Sequence, residues 1–218
     1  LLLVASVIIS INWFTYIWAI ANNQVMNTSL GYYINPLLNV VLGVILFKEF
    51  LSTPKKLSVL IATIGIALLT YQLGSLPIVS LILAVSFGLY GVVKKKLLIS
   101  PFTSIAFEAW LLTPLALLYT TMVDNTVWSY FGTDWYTTLL LIACGLTTSV
   151  PLVLFSYGAQ LLPLNLLGFL QYVSPTIALL LAIFYFGESF DTPQMIAFGC
   201  IWIALAIYTM SNQLTRTK

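Results

Sequence analysis

The chain has 218 residues, of which 61 % are hydrophobic and 6 % charged, and its mean hydropathy is +1.04. Soluble domains carry roughly 25 % charged residues, so 8 basic and 6 acidic side chains could not cover a water-facing surface. Composition therefore excludes a soluble globule, a disordered chain and a coiled coil. The scattered net charge of +2 forms no phosphate-binding stripe, which excludes a nucleic-acid partner.

Side chains suited to catalysis or metal binding are scarce. The sequence has no histidine, and its two cysteines, Cys144 and Cys200, lie in separate apolar runs. Zinc and haem sites lose their usual ligands, so we expect no metal and no cofactor. Ser-His-Asp and Cys-His nucleophiles are absent as well, and we therefore expect no catalytic residues and no enzyme.

Eight apolar runs are long enough for a helix to cross a hydrocarbon core of about 30 Å. They lack the alternation of barrel strands, so the sequence predicts an all-α polytopic membrane protein. Short connections with breaker residues separate most of the runs, and only Val123 to Trp135 makes a longer loop. The predicted spans, one to eight, are Leu1 to Ala21, Leu30 to Phe47, Leu57 to Tyr71, Pro77 to Val93, Phe102 to Met122, Tyr136 to Gln160, Leu166 to Phe186 and Met195 to Met210.

All basic residues follow even-numbered spans. Lys and Arg in short loops stay in the cytoplasm, so both ends of the chain, including the C-terminus, are predicted to be cytoplasmic. The residues that carry this prediction are Lys48, Lys55, Lys56, Lys94, Lys95, Lys96, Arg216 and Lys218, and the acidic residues predicted on the opposite side are Asp124, Asp134, Glu188 and Asp191.

An internal repeat becomes visible when the sequence is compared with itself at an offset of 139 residues. The unit would be five helices, and an odd unit places its two copies in opposite orientations, as in many secondary transporters. Residues 1-72 would hold the last three helices of the first repeat and residues 73-218 the complete second repeat. We then expect two further spans before Leu1 and ten in all. The offset pairs Tyr33 with Tyr172, Pro36 with Pro175, Phe47 with Phe186, Glu49 with Glu188, Thr53 with Thr192 and Pro54 with Pro193.

Three motifs carry a family resemblance. They are Asn12-Trp13-Phe14-Thr15-Tyr16, Gly31-Tyr32-Tyr33-Ile34-Asn35-Pro36, and Gly168-Phe169-Leu170-Gln171-Tyr172 followed by Ser174-Pro175. Over essentially the whole chain, the sequence resembles the RarD branch of the EamA family, in the drug/metabolite transporter (DMT) superfamily. The resemblance implies a multi-pass permease of the bacterial inner membrane, built from two inverted EamA repeats, that exports small metabolites or drugs. The branch is named for chloramphenicol sensitivity.

Two matched prolines mark the predicted substrate pathway. Pro36 and Pro175 each remove a backbone donor inside a span, and matched broken helices indicate the binding site of a transporter. Polar residues share a helix face with each proline, which favours an inward orientation. Interhelical hydrogen bonding is the alternative role. The pathway residues predicted around these prolines are Tyr32, Asn35, Gln171, Tyr172 and Ser174, with Asn39 as a weaker candidate.

Glu108 is an acidic residue well inside a predicted span. It lies six residues after Phe102, a rise of about 9 Å along a helix. An intramembrane carboxylate suggests function, here coupling of transport to protons. A helix shifted by one turn would instead place Glu108 within reach of Lys94 to Lys96, as a structural ion pair.

The first span adds a second group of pathway candidates. Asn12 and Tyr16 are four residues apart on one helix face, with Trp13 beside them. An amide next to aromatic rings could bind an organic substrate by hydrogen bonding and stacking.

A secondary transporter that alternates access to a small-molecule site is the function these features favour. The chain has no GxxxxGK[ST] motif for ATP-driven transport. A membrane-embedded enzyme would need clustered acid-base groups. A passive channel or a non-transporting membrane sensor stays open as the alternative, as do the substrate, the coupling ion and the oligomeric state.

Overall fold

A computed structural model describes residues 1–72, 77–122, 131–132, 134–185 and 191–216 of the chain. These residues contain helices and connecting segments and no strand. In chain order the helices are α1 (Leu2–Ala21), α2 (Val25–Phe47), α3 (Thr53–Gln72), α4 (Ile78–Lys96), α5 (Pro101–Met122), α6 (Trp135–Leu161), α7 (Leu164–Gln171), α8 (Val173–Phe184) and α9 (Thr192–Arg216).

The prediction of an all-α polytopic membrane protein with eight spans is confirmed. Within the described ranges, eight helical segments have the length and hydropathy to cross a membrane, and α7 and α8 together supply the seventh. Parts of the sequence prediction lie outside the described residues: the connection at 74–76, most of the loop Val123 to Trp135, and Phe186, Glu188 and Lys218.

The seventh span has the break that Pro175 predicts. Helix α7 ends at Gln171 and α8 begins at Val173, with Tyr172 between them. Pro175 has no N–H to donate to the carbonyl of Gln171 four residues earlier, and its ring crowds that carbonyl. The matching break predicted at Pro36 is wrong, because Pro36 lies at the middle of α2, which remains one helix.

Several helices begin earlier than the sequence predicted. Helix α2 starts at Val25 instead of Leu30, α3 at Thr53 instead of Leu57, and α9 at Thr192 instead of Met195. Pro54 and Pro193 were placed in loops, but each lies in the first turn of a helix. Proline is tolerated there because first-turn N–H groups have no partner within the helix.

The helix starts follow the offset of the sequence repeat. Helices α2 and α7 begin at Val25 and Leu164, and α3 and α9 begin at Thr53 and Thr192. Both pairs of starts are separated by 139 residues, the offset that pairs Pro36 with Pro175. The division into two inverted repeats stays a prediction, which these positions support.

Three buried clusters form the core of the described bundle, and the third joins α4, α6 and α7. The first joins α2 and α3 to α7 and α9 and includes Leu30, Phe169 and Tyr208. The second joins α1 to α4 and α5 around Ile9 and Tyr90. Helix α3 packs along α9, and α2 packs against both α4 and α7. Many outward-facing aliphatic side chains are exposed, as expected for a protein whose surroundings are lipid.

Asp134 starts helix α6. Its carboxylate accepts hydrogen bonds from the backbone N–H of Thr137, at 3.0 Å, and from the Thr137 hydroxyl, at 3.1 Å. The backbone bond from Thr137 is the main reason that the pKa of the exposed Asp134 carboxyl lies below its usual range. The cap is therefore ionised at neutral pH and favours the helix start.

Candidate functional site

Three amide side chains meet where α2 crosses α7, and we refer to Asn35, Asn39 and Gln171 as the amide cluster. The Asn39 amide nitrogen donates to Gln171 Oε1 at 2.7 Å, and the Asn35 amide nitrogen donates to the same oxygen at 3.2 Å. Both asparagines are buried and Gln171 is half-buried. The cluster lies next to Pro36, at the middle of α2.

Gly168 permits the close crossing of α2 and α7. A β-carbon on Gly168 would lie 2.5 Å from the Pro36 carbonyl oxygen and 3.1 Å from Asn39 Cβ. Real β-carbons do not approach backbone so closely, so only glycine fits. Small residues commonly allow such crossings in membrane bundles. The motif Gly168 to Tyr172 therefore supplies both the crossing and the glutamine of the amide cluster.

The amide cluster has unused hydrogen-bonding capacity. Asn35 Oδ1 and Asn39 Oδ1 are buried acceptors without a partner among the described residues. The Tyr32 carbonyl is a further acceptor without its usual helical donor, because Pro36 has no backbone N–H. A buried acceptor without a donor is costly. The cluster is thus suited to a ligand group or water that donates hydrogen bonds.

The other residues predicted near the second proline play different parts. Tyr172 is buried, and its hydroxyl donates to the Tyr33 carbonyl at 3.3 Å. Ser174 and Pro175 both lie in the first turn of α8, where Pro175 is buried and Ser174 is exposed. Tyr172 is therefore part of the core, and Ser174 does not join the amide cluster.

The predicted group on α1 does not form one site. The Asn12 amide donates across to α4, to the Leu83 carbonyl at 3.0 Å and to Ser86 Oγ at 2.8 Å. Trp13 packs against the core cluster of α1, α4 and α5. Tyr16 makes an edge contact with Tyr32 of α2, with ring centroids 6.1 Å apart. Asn12 has the contacts of an interhelical link, the alternative role that polar intramembrane residues often have.

Glu108 of α5 forms a buried ion pair with Lys94 of α4. Ser104 donates to the same carboxylate oxygen at 3.1 Å, and Tyr90 donates to the other oxygen at 2.8 Å. Lys94 also donates to Ser104. All four side chains are buried. Both carboxylate oxygens therefore have donors, which a buried charge requires.

Lys94 lies elsewhere than the sequence predicts. The sequence grouped it with Lys95 and Lys96 as a loop charge that fixes topology, with span four ending at Val93. In the structure α4 continues to Lys96 and Lys94 is fully buried in its last turn. Lysine side chains favour the C-terminal end of a helix, which allows α4 to extend through the three lysines.

Glu49, in the connection between α2 and α3, accepts hydrogen bonds from the start of α7. Its carboxylate accepts from the backbone N–H of Leu164 at 2.6 Å, and from the backbone and side-chain nitrogens of Asn165, both at 2.8 Å. The hydroxyl of Tyr208 in α9 donates to Asn165 Oδ1. We call these four residues the Glu49 clamp.

A second set of contacts lies at the same end of the bundle. The Lys95 ammonium donates to the Leu162 carbonyl at 2.6 Å, at the end of α6. The Gln160 amide donates to the carbonyls of Leu97 and Ile99, at 3.2 and 3.0 Å. We call this end of the bundle the lysine end, and we define it by Lys48, Lys55, Lys56, Lys95 and Lys96.

Sequence reasoning missed the Glu49 clamp and these neighbouring contacts as structural features. The sequence repeat pairs Glu49 with Glu188, and an acidic residue after each of two matched spans is a signal that could have pointed to a role for Glu49. No sequence signal pointed to Asn165, Tyr208 or Gln160, because their partners are more than 40 residues away along the chain.

A cavity of about 610 Å³ lies between α1, the start of α2 and the start of α4, at the end of the bundle opposite the lysine end. Aromatic, amide and aliphatic side chains surround it: Phe14, Thr15, Trp18, Gln24, Asn27, Ile78, Val79 and Ile82. The described ranges contain no group of three or more His, Cys, Asp or Glu residues able to hold a metal ion.

Comparison with known proteins agrees with this architecture. Residues 75–210 match the model of the EamA-like transporter family. The chain is 45 % identical over 215 residues to the uncharacterized transporter PA0485 of Pseudomonas aeruginosa, covering 94 % of the chain and 69 % of that protein. It is 40 % identical over 219 residues to protein RarD of Escherichia coli, covering 100 % of the chain and 74 % of RarD. A crystal structure with 19 % identity has the same fold, with a TM-score of 0.69 over 91 % of this chain and 73 % of the other.

The helices and these matches define a multi-pass membrane protein of a bacterial transporter family, whose substrate is a small molecule and whose surroundings are the lipid bilayer. The chain belongs to the EamA-like transporter family and, within it, to the RarD branch of the drug/metabolite transporter superfamily. The resemblance predicted from the motifs is thus confirmed.

Proposed function

We propose that the protein is a secondary transporter that exports small metabolites or drugs across the bacterial inner membrane by alternating access. The observation that carries the proposal is the amide cluster, in which two buried acceptors that have no donor among the described residues lie beside Pro36 at the middle of a membrane span. Polar groups at that depth are expensive in lipid, and in membrane proteins they mark substrate or ion pathways.

The proposed substrate site is centred on Asn35 and Gln171, with Pro36 inside α2 and Pro175 just after the break between α7 and α8. The site would lie where the two predicted repeats meet, because α2 belongs to residues 1-72 and α7 to residues 73-218. Transporters built from inverted repeats bind their substrates at this kind of interface near the bilayer midplane. Rocking of one repeat against the other would expose the amide cluster to each side in turn.

The lysine end is proposed to face the cytoplasm, which also places the C-terminus there. Lys48, Lys55 and Lys56 lie beside Lys95 and Lys96 at this end of the bundle, and basic residues in short loops are retained in the cytoplasm. The opposite end, where Asp134 caps α6, would face the periplasm. A substrate leaving the cell would then enter past the lysine end.

Proton coupling through Glu108 is the proposed energy source. Glu108 is paired with Lys94 and bound by Tyr90 and Ser104. A proton taken up by Glu108 would neutralise the carboxylate and release the Lys94 ammonium, which links protonation to a change in the contact between α4 and α5.

Uptake into inverted membrane vesicles tests the proposal. The vesicles would contain the full-length protein, and the probes would be labelled amino acids and chloramphenicol under an imposed pH gradient. We expect uptake of at least one probe that collapses when the gradient is dissipated. Flux that ignores the gradient would indicate a channel instead, and absence of uptake across the panel would favour a sensor or remove these probes as substrates.

A further inference from the structure

The contacts at the lysine end connect the two predicted repeats directly. Glu49 belongs to the first repeat, and the N–H groups that its carboxylate binds, those of Leu164 and Asn165, belong to the second. The start of α7 offers free backbone donors and the positive end of its helix dipole, so a carboxylate is the best-suited partner. Charge-assisted hydrogen bonds of this kind are stronger than neutral ones.

The Glu49 clamp includes a residue of α9 and also contacts α3. Asn165 accepts a hydrogen bond from Tyr208 of α9, and the Lys55 ammonium of α3 lies over the Tyr208 ring, 4.9 Å from its centroid. Ser52, before α3, and Ser211 of α9 form a hydrogen bond with oxygens 3.0 Å apart. The clamp and this serine pair therefore hold α2 and α3 against α7 and α9 at the lysine end.

At the opposite end of the bundle, the boundary between the predicted repeats contains open space where α1 and α2 face α4. The cavity of about 610 Å³ has Phe14, Trp18 and Gln24 of the first repeat on one side, and Ile78 and Ile82 of the second repeat on the other. The amide cluster lies between the two ends, because Asn35 and Asn39 fall between Gln24 and Glu49 along α2. The boundary between the repeats is thus closed by the clamp on one side of the amide cluster. On the other side it holds the cavity, next to a hydrogen bond from Ser80 Oγ of α4 to the Asn27 carbonyl of α2, at 2.6 Å.

We propose that the Glu49 clamp is the gate that closes the lysine end of the transporter, and that the structure represents the state open at the opposite end. Release of α7 by Glu49 would accompany opening towards the lysine end. The proposal rests on the proposed transport function for its biological meaning, but the gate itself can be measured without any substrate.

Cysteine labelling tests the gate in membrane vesicles that contain the full-length protein. Cys144 and Cys200 are first replaced by alanine, and single reporters are then introduced as Ser211→Cys at the gate and Thr15→Cys in the cavity. The readout is the rate of reaction with a membrane-impermeant maleimide, applied to inverted vesicles for Ser211→Cys and to right-side-out vesicles for Thr15→Cys.

The decisive variant is Glu49→Gln, whose amide keeps only one acceptor oxygen. A shift in the conformational equilibrium of about 1.4 kcal/mol corresponds to about tenfold in the population of the open gate. We therefore expect labelling of Ser211→Cys to accelerate by about tenfold and labelling of Thr15→Cys to slow. Lys56→Gln changes a charge on an exposed side chain at the same end and should leave both rates unchanged.

Two results would overturn the proposal that the Glu49 clamp is a gate. An unchanged rate at Ser211→Cys would show that Glu49 does not hold the lysine end closed. Acceleration at both reporters would show that Glu49→Gln loosens the whole bundle, because a gate that exchanges two states must close one end as it opens the other.

A cross-link provides an independent test. Ser52→Cys combined with Ser211→Cys should form a disulfide, since the serine oxygens are 3.0 Å apart, and the bridge would lock the lysine end closed. Gradient-driven uptake should stop on oxidation and return on reduction, and undiminished uptake by the fully cross-linked protein would overturn the gate. Failure of the transport proposal would give a different result. The protein would show no uptake before cross-linking, while Glu49→Gln would still change the labelling rates at Ser211→Cys and Thr15→Cys in opposite directions.

Discussion

Tyr172 donates its hydroxyl hydrogen to the backbone carbonyl of Tyr33, 139 residues earlier, with 3.3 Å between the oxygens. These are the same two tyrosines that the sequence repeat pairs. Residues related by an internal two-fold axis contact each other only where the axis passes close to them. The contact therefore supports an axis near the crossing of α2 and α7, beside the amide cluster, and the packing of α3 along α9 supports the same axis.

Gln171→Ala should weaken apparent substrate affinity more than it lowers the amount of protein in the membrane. Loss of one well-placed hydrogen-bonding group corresponds to a rise of about tenfold in KM. The measurement is the concentration dependence of uptake of the labelled amino acid or chloramphenicol, with protein quantified by immunoblot.

Gln160→Ala is the matched control for Gln171, because it removes the same side chain from the lysine end. It should reduce the amount of protein without changing KM, since Gln160 binds backbone carbonyls. Equal losses of affinity and amount for Gln171→Ala would assign the amide cluster to packing instead of substrate binding.

Gly168→Ala should separate α7 from α2 and disrupt the amide cluster. The added β-carbon would lie 2.5 Å from the Pro36 carbonyl oxygen, and overpacking of this kind costs about 1–3 kcal/mol. We expect a lower thermal midpoint for the purified protein in detergent and loss of uptake.

Gly145→Ala is the control for this substitution. A β-carbon at Gly145 of α6 would meet no atom of the described residues within 4 Å, and alanine is the better helix former by about 1 kcal/mol. Its thermal midpoint should stay the same or rise. A Gly168→Ala protein as stable and active as the parent would show that the helices can separate there without cost.

Glu108→Gln should reduce the amount of folded protein, because it leaves the Lys94 ammonium buried without its counter-charge. Removal of one partner of a buried pair costs about 3–5 kcal/mol. The double variant Lys94→Met/Glu108→Gln removes both charges and should restore the folded protein, measured by fluorescence size-exclusion chromatography.

Uptake by that double variant separates the two roles of Glu108. If Glu108 couples transport to protons, the double variant regains its fold and exchanges substrate but has no gradient-driven uptake. If Lys94 and Glu108 are only a structural pair, gradient-driven uptake returns together with the fold. The second result would remove Glu108 from the coupling mechanism.

Asn12→Leu should lower stability and leave apparent affinity unchanged. Asn12 donates to the Leu83 carbonyl and to Ser86 Oγ, and interhelical hydrogen bonds in membranes contribute about 0.6–2 kcal/mol. Thermal unfolding in detergent and KM are measured on the same preparation. A change in KM with an unchanged thermal midpoint would return Asn12 to the substrate pathway.

Sequence patterns predicted the spans well because lipid imposes a simple requirement. A chain without water around it must bond its own backbone and carry an apolar run of fixed length, and both features are local. The ends were predicted less well. Pro54 and Pro193 signalled breaks, yet proline also fits a first helical turn, and only the packing of α3 and α9 decided between these positions.

For the candidate site too, the sequence predicted some features and the tertiary structure decided the others. The sequence determined that polar side chains would concentrate around Pro36 and Pro175, because the periodicity of an α-helix places residues three and four apart on one face. Tertiary structure decided which of them meet: Asn35, Asn39 and Gln171 come together because Gly168 lets two helices cross closely, whereas Asn12 binds α4. The partners of Glu49 and Lys94 were also set by packing, since the residues that satisfy a buried charge belong to other helices, and helix periodicity carries no information about which helices become neighbours.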